Sequence, residues 1–107
     1  MANRASSLPR IPDGYLARSA EVIKCLGHPL RLRLLESLES GEKTVSALQE
    51  YADASQSVVS QQLSILRGKG VVDSRREGVN VYYCLVEPKV YHILTCIRDC
   101  CDDDGQS

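Results

Sequence analysis

His92, Cys96 and Cys100 recur every four residues near the end of the chain, with Cys101 directly after. On a helix the imidazole and two thiols form one stripe and the third thiol lies beside it. Thiolates favour soft acceptors, so this set suits As(III) or a soft divalent ion such as Cd(II), Hg(II) or Zn(II), and fraying of the last turn would bring Cys101 in. The competing chemistry is redox: a thiol pair oxidised to a disulfide or bridged by sulfane sulfur. In an intact helix, β-carbons at i and i+4 lie roughly 5–6 Å apart, against about 3.8 Å in a disulfide. Joining Cys96 to Cys100 would therefore distort the last turn, and that distortion could itself be a switch. Cys25 could pair with the cluster if the first and last helices touch. The plain alternative is that the thiols are small core hydrophobes, above all Cys25 and Cys84, which stand alone.

A second kind of chemistry lies in residues 55–83, where a polar-faced helix runs into a basic-tipped β-hairpin. Ser55 or Ser57 can cap the helix, and Val58, Val59, Leu63 and Leu66 recur at the spacing of a buried side. The opposite side carries Gln56, Ser57, Ser60, Gln61 and Ser64, short or amide-tipped groups that fit a major groove, where Gln can bond adenine through both amide atoms. Arg67 and Lys69 add positive charge before Gly68 and Gly70 end the helix. Such a face alone is also what any solvated helix presents. The hairpin beyond it tips the balance towards DNA: Val71 and Val72 begin a strand, Arg75, Arg76, Glu77 and Gly78 make a cationic turn, and residues 79–85 return. Alternation puts Val79, Val81, Tyr83 and Leu85 on one face and Asn80, Tyr82, Cys84 and Val86 on the other. Arg75 and Arg76 at the tip can reach phosphates or an adjacent minor groove. Residues 44–51 give a short helix with Val45, Leu48 and Tyr51 on one side, the partner a helix-turn-helix needs. Helix and hairpin together are the grip of a winged helix on DNA.

The elements that position these groups emerge from breakers and periodicity. Residues 1–13 mix Pro, Ser and Arg without a period and read as a flexible arm. A first helix passes through Leu16, Ala20, Ile23 and Lys24 to about Leu26, and residues 27–29 break it, with Pro29 starting the next. His28, ahead of that proline, is structural, and Arg31 and Arg33 on the second helix are candidates to reach the DNA backbone. The second helix buries Leu30, Leu34, Leu35 and Leu38 and stops at Gly41. A final helix starts at Pro88, where Val90, Ile93, Leu94, Ile97 and Cys101 make an apolar stripe expected to meet a partner subunit. The fold class is α+β, mostly α: a winged helix-turn-helix of about five to six helices with a β-hairpin wing, spanning residues 14–101, before an acidic tail at 102–107. At 107 residues the chain is one small domain whose core dimerisation would enlarge.

The formal charge of −1 is low for a DNA binder, but Asp99, Asp102, Asp103 and Asp104 crowd the C-terminus; without them 13 basic residues face 10 acidic ones, a net +3. No apolar run is long enough to span a bilayer and no signal segment is visible, so a cytoplasmic chain without membrane contact is expected. Five cysteines in a reducing compartment argue against a disulfide framework. Vicinal thiols near a histidine also suggest an oxidoreductase or a nucleophilic cysteine. With no CxxC at a helix start after a strand and no glycine-rich cofactor loop, the chain does not read as an enzyme. A winged helix that only docks proteins is the remaining alternative, and it would bind DNA without salt dependence or not at all.

The run from Cys25 to Leu35 (CLGHPLRLRLL), the block SQSVVSQQLSILRGKGVV and the hairpin REGVNVYYCL resemble the ArsR/SmtB family of small dimeric winged-helix repressors, over about residues 16–100. The resemblance implies a homodimer joined through the first and last helices, bound to double-stranded operator DNA until an inducer releases it. The family's metal box before the recognition helix has no counterpart, since residues 44–48 lack cysteine. The zinc-type positions on the last helix match Glu87, Lys89, Cys100 and Asp103, with lysine at a ligand place. The cysteine of the second helix in sulfide-sensing relatives falls near Glu36. What remains is this chain's own set, His92, Cys96, Cys100 and Cys101, as an ion-responsive sensor with no obligatory cofactor, or alternatively as a persulfide or disulfide switch.

Overall fold

The first helix ends because Gly27, His28 and Pro29 cannot continue it, and the same residues start the second. The computed structural model describes residues 8–103. Within them the chain forms α1 (Asp13–Leu26), α2 (Pro29–Leu38), β1 (Lys43–Thr44), α3 (Val45–Ala52), α4 (Gln56–Gly68), β2 (Val72–Glu77), β3 (Asn80–Leu85) and α5 (Pro88–Asp103). His28 caps α2, its Nδ1 accepting the Leu30 N–H at 3.2 Å, with Pro29 in the first turn where a missing N–H costs nothing. Thr44 and Ser55 cap α3 and α4 by accepting from the N–H groups of Ala47 and Val58 at 3.2 and 3.3 Å. Between α3 and α4 the chain reverses at Asp53, whose left-handed φ of 54° is tolerated by a short polar side chain. These local devices fix the angle of the helix-turn-helix.

The core gathers one side of every helix. Leu34, Leu35 and Leu38 of α2, Leu48 of α3 and Val59, Leu63 and Leu66 of α4 close around Val71, Val72, Leu85, Val90 and Leu94. Each full burial of such a side chain contributes roughly 1.5–3 kcal/mol, enough together to set which side of α4 faces inward. Val58, expected on that side, is 39% exposed, and Tyr51, expected beside Leu48, is 50% exposed. Both sit at the edge of an apolar arc wider than the neighbouring elements cover.

The three strands order as β1-β3-β2, all antiparallel. β1 is an addition to the expected hairpin: Lys43 pairs with Tyr83 and Thr44 with Tyr82, which ties the start of α3 to the wing. The expected turn at residues 75–78 is corrected as well. Arg75, Arg76 and Glu77 lie in β2, and Glu77 pairs with Asn80, so the turn is only Gly78 and Val79. A two-residue hairpin turn needs positive φ at its first position, and Gly78 supplies it with φ 63°. Val79, expected on a packed face, is at the tip and 93% exposed.

On α5 the expected partner-facing stripe divides. Val90 and Leu94 belong to the chain's own core, while Ile97 and Cys101 are exposed. The helix continues through Asp103 and so includes two residues of the expected tail; residues 104–107, like residues 1–7 of the expected arm, lie outside the described ones. Arg98 holds α5 to the end of α2, its Nη1 donating to Glu39 Oε2 at 3.1 Å while its Nη2 donates to the other oxygen. These hydrogen bonds, aided by the arginine charge and opposed by slight burial, hold the Glu39 carboxyl below its ordinary value. A depressed carboxyl stabilises the fold above its unfolded pKa of about 4.3 and loses that contribution as pH falls through the folded value. Glu39→Gln should therefore lower the melting temperature slightly at neutral pH and flatten its fall between about pH 5 and pH 3. The difference is small because Arg98 is half-exposed. Parallel curves for the two proteins would show that the pair does not stabilise the fold.

Candidate nucleic-acid interface and thiol face

α4 has a packed and an outward side, with Val58 at the edge between them. Val59, Leu63 and Leu66 are fully buried, whereas Gln56, Ser57, Gln61, Ser64 and Arg67 are exposed and Ser60 is half-buried on the flank. The outward side thus offers hydroxyls and amides with no side-chain hydrogen bond among the described residues, the groups that read base edges. Arg67 Nε stands 3.8 Å from Asp73 Oδ1, a loose and exposed pair that leaves the guanidinium available.

The two wing arginines differ. Arg75 donates from Nε and Nη2 to the two carboxylate oxygens of Glu42 at 2.7 and 2.8 Å, and from Nη1 to Glu77 at 2.9 Å. Its guanidinium also lies over the ring of Tyr82, its cross-strand partner, 4.7 Å from the centroid. These bonds raise the Arg75 pKa, and the hydrogen bond from Arg75 lowers that of Glu42. Arg75, expected as a cation for DNA, is in this structure a clamp between the wing and the loop before β1. Arg76 points to the other strand face, is exposed, and has no ion pair among the described residues. It is the wing cation open to phosphate.

Arg31 and Arg33 are also engaged within the chain. Arg33 pairs with Glu36 at 2.6 Å, and Arg31 donates to Gln62 Oε1 at 2.6 Å and to the Cys25 carbonyl at 2.9 Å. Sequence reasoning does not find Glu42 and Gln62 as partners. Each lies more than thirty residues from the arginine it holds, and no local period links them.

All five cysteines are free: Cys25 is buried, Cys84 half-buried, and Cys96, Cys100 and Cys101 exposed. His92 is exposed too. Cys96 and Cys100 stand one turn apart on the outer side of α5, while Cys101 lines a groove against α2 with Leu32, Leu94 and Ile97. Among the described residues of the single chain, no three His, Cys, Asp or Glu side chains gather as a metal site, so the four expected ligands are not assembled by one subunit. At the start of α5, Glu87 accepts the Lys89 N–H at 3.1 Å and the Lys89 ammonium stands 3.7 Å from the same carboxylate. An ion pair occupies the end where a zinc-type arrangement needs two ligands. No helix among the described residues is long and apolar enough to cross a membrane.

A helix-turn-helix whose second helix shows a polar face, followed by a two-stranded wing with an exposed arginine, defines a winged-helix DNA-binding regulator. The model for the bacterial regulatory protein arsR family matches residues 28–74, from the cap of α2 into β2. A biofilm growth-associated repressor of Agrobacterium fabrum is 41% identical over 70% of this chain, an alignment spanning 64% of that protein. A probable mercury resistance operon repressor of Streptomyces lividans is 32% identical over 85% of this chain and 81% of its own length. The solved structure of HlyU from Vibrio cholerae superposes with a TM-score of 0.77 at 28% identity, over 82% of this chain and 96% of that one. The chain belongs to the ArsR family of transcriptional regulators. The relatives it matches are transcriptional regulators and not enzymes.

Proposed function

We propose that the protein is a homodimeric repressor that holds double-stranded operator DNA through α4 and the wing, and leaves it when thiols of α5 bind a thiophilic ion. The observation that carries the DNA part is the division of α4 into a fully buried apolar side and an exposed Ser/Gln side beside Arg76. Dimerisation is supported by Tyr15, Leu16 and Ile23 on α1 and Tyr91 and Ile97 on α5, large apolar groups left exposed on the two terminal helices. Ion sensing is supported by Cys96 and Cys100, exposed one turn apart. Their i, i+4 spacing of roughly 5–6 Å between β-carbons suits two metal–sulfur bonds of about 2.3 Å each better than one disulfide. His92, Cys101 or a group of the second subunit would complete the shell. The mercury resistance repressor among the relatives agrees with a soft ion. Bound to bacterial operators, the protein works in the cytoplasm.

The test is a fluorescence titration of a duplex selected by the reduced protein from a random pool, repeated with As(III), with Cd(II) or Zn(II), and with persulfide or peroxide. Release by an ion under reducing conditions supports the reading. Release only by an oxidant or sulfur donor replaces ion binding with a thiol switch, and absence of DNA binding overturns the repressor itself. In the same assay Gln61→Ala should cost roughly 1–3 kcal/mol on the selected duplex and little on random DNA. Arg76→Ala should weaken both and reduce the salt slope by about one. Equal effects of the two variants on random DNA would refute the assigned roles.

A further inference from the structure

We infer that Arg31 is a positioning residue for α4, and that its hydrogen bond to Gln62 sets the angle at which the recognition helix meets DNA, a role that rests on the proposed DNA binding. Arg31 stands in the first turn of α2, half-buried, where its guanidinium joins three helices. Nε donates to Gln62 Oε1 of α4 at 2.6 Å and Nη1 to the carbonyl of Cys25 in the last turn of α1 at 2.9 Å. The carbonyls in the last turn of a helix have no intrahelical donor. Gln62 sits on the flank of α4, between the buried Leu63 and the exposed Gln61, so its amide controls rotation of the helix about its own axis.

The apolar side of α4 sets which side faces inward, but aliphatic contacts are non-directional and leave the fine angle of its roll loosely fixed. A charge-assisted hydrogen bond with a planar donor is directional. A polar tie between α1 and the residue after α4, Lys69 Nζ to Glu21 Oε1 at 3.3 Å, is exposed at both ends and contributes little. Arg31 is thus the element through which α1, the helix proposed to meet the second subunit, is joined to α4. With Nε and Nη1 both held within the protein, Arg31 is expected to make no phosphate contact.

The test is a double-mutant cycle on the full chain, with a duplex selected by the wild-type protein and a random duplex of equal length. Gln62→Ala, Arg31→Met, which retains the apolar stem, and the double variant are compared. The expected result is an approximately tenfold loss of preference for the selected duplex in each single variant, with no further loss in the double, unchanged affinity for random DNA and an unchanged salt slope. Additive losses, a salt slope reduced by about one in Arg31→Met, or full preference retained by Gln62→Ala would each overturn the positioning role. Should Arg31→Met prove too unstable to assay, Gln62→Ala decides alone. A wild-type protein without preference for any duplex would instead remove the proposed DNA binding on which the positioning role rests.

Discussion

Replacing Cys96 and Cys100 together by serine is expected to leave DNA affinity unchanged while abolishing release by a soft ion. Both thiols are exposed, so exchanging sulfur for oxygen disturbs no packing, and surface changes of this kind usually shift stability by less than about 0.5 kcal/mol. The ligand set, by contrast, is destroyed. A serine hydroxyl does not ionise near neutral pH and is a hard, weak donor where the ion wants thiolate. Either single variant retains one thiolate and loses the chelate, so its ion affinity should fall by at least roughly a hundredfold, as expected when a second attachment point is lost. Cys25→Ser is the contrasting control: that thiol is 4% exposed in the core, and its replacement should lower stability while leaving the ion response in place. The readout is the ion concentration that halves operator occupancy, measured with reductant present. Normal release in the double variant would remove these thiols as the sensor, whatever the behaviour of Cys101.

The sequence makes the local devices of the fold readable and its long-range partnerships unreadable. Ser55, Thr44 and the pair His28 and Pro29 announce helix starts because a cap acts on N–H groups two or three residues away. Val59, Leu63 and Leu66 announce a buried side because the helical period is local. The edges of that side are not local. Val58 and Tyr51 fall within the apolar arc, but whether an edge is covered depends on which element passes over it. The wing shows the same limit. Charged residues before a glycine read as a turn, yet Gly78 alone closes a two-residue hairpin and the arginines become strand. Arg75 then meets Tyr82 across strands and Glu42 in the loop before β1, and Arg31 reaches Gln62, partners that no local period announces. β1, only two residues long, has no period of its own and exists because β3 has an open edge. The cysteines are visible by spacing, but the separation of Cys101 from Cys96 and Cys100 by a groove against α2 depends on how α5 rolls onto Val90 and Leu94.

Leu63→Ala should destabilise the protein by roughly 2–5 kcal/mol, the range for removing a buried leucine side chain whose surroundings cannot collapse. Leu63 is fully buried where α4 packs on the core, next to Leu66 and within the same cluster as Leu34, Leu48 and Val71. In a domain of this size each kcal/mol moves the melting temperature by roughly 4–8 °C, so a fall of at least about 8 °C is expected. The adjacent outward residue gives the opposite result: Gln61→Ala removes no buried contact and introduces the best helix former, so its melting temperature should stay within a few degrees of wild type while selective DNA binding falls. Two nearby positions on one helix then report separately on folding and on recognition. Thermal denaturation by circular dichroism, beside the binding assay on the selected duplex, measures both. A Leu63→Ala protein that melts with wild type would mean that α4 is not seated on the core, and the outward face could not then be the one the helix presents. The division of α4 into a packed side and a reading side is a single claim about its roll, and it requires both that stability fall at Leu63 and that specificity fall at Gln61.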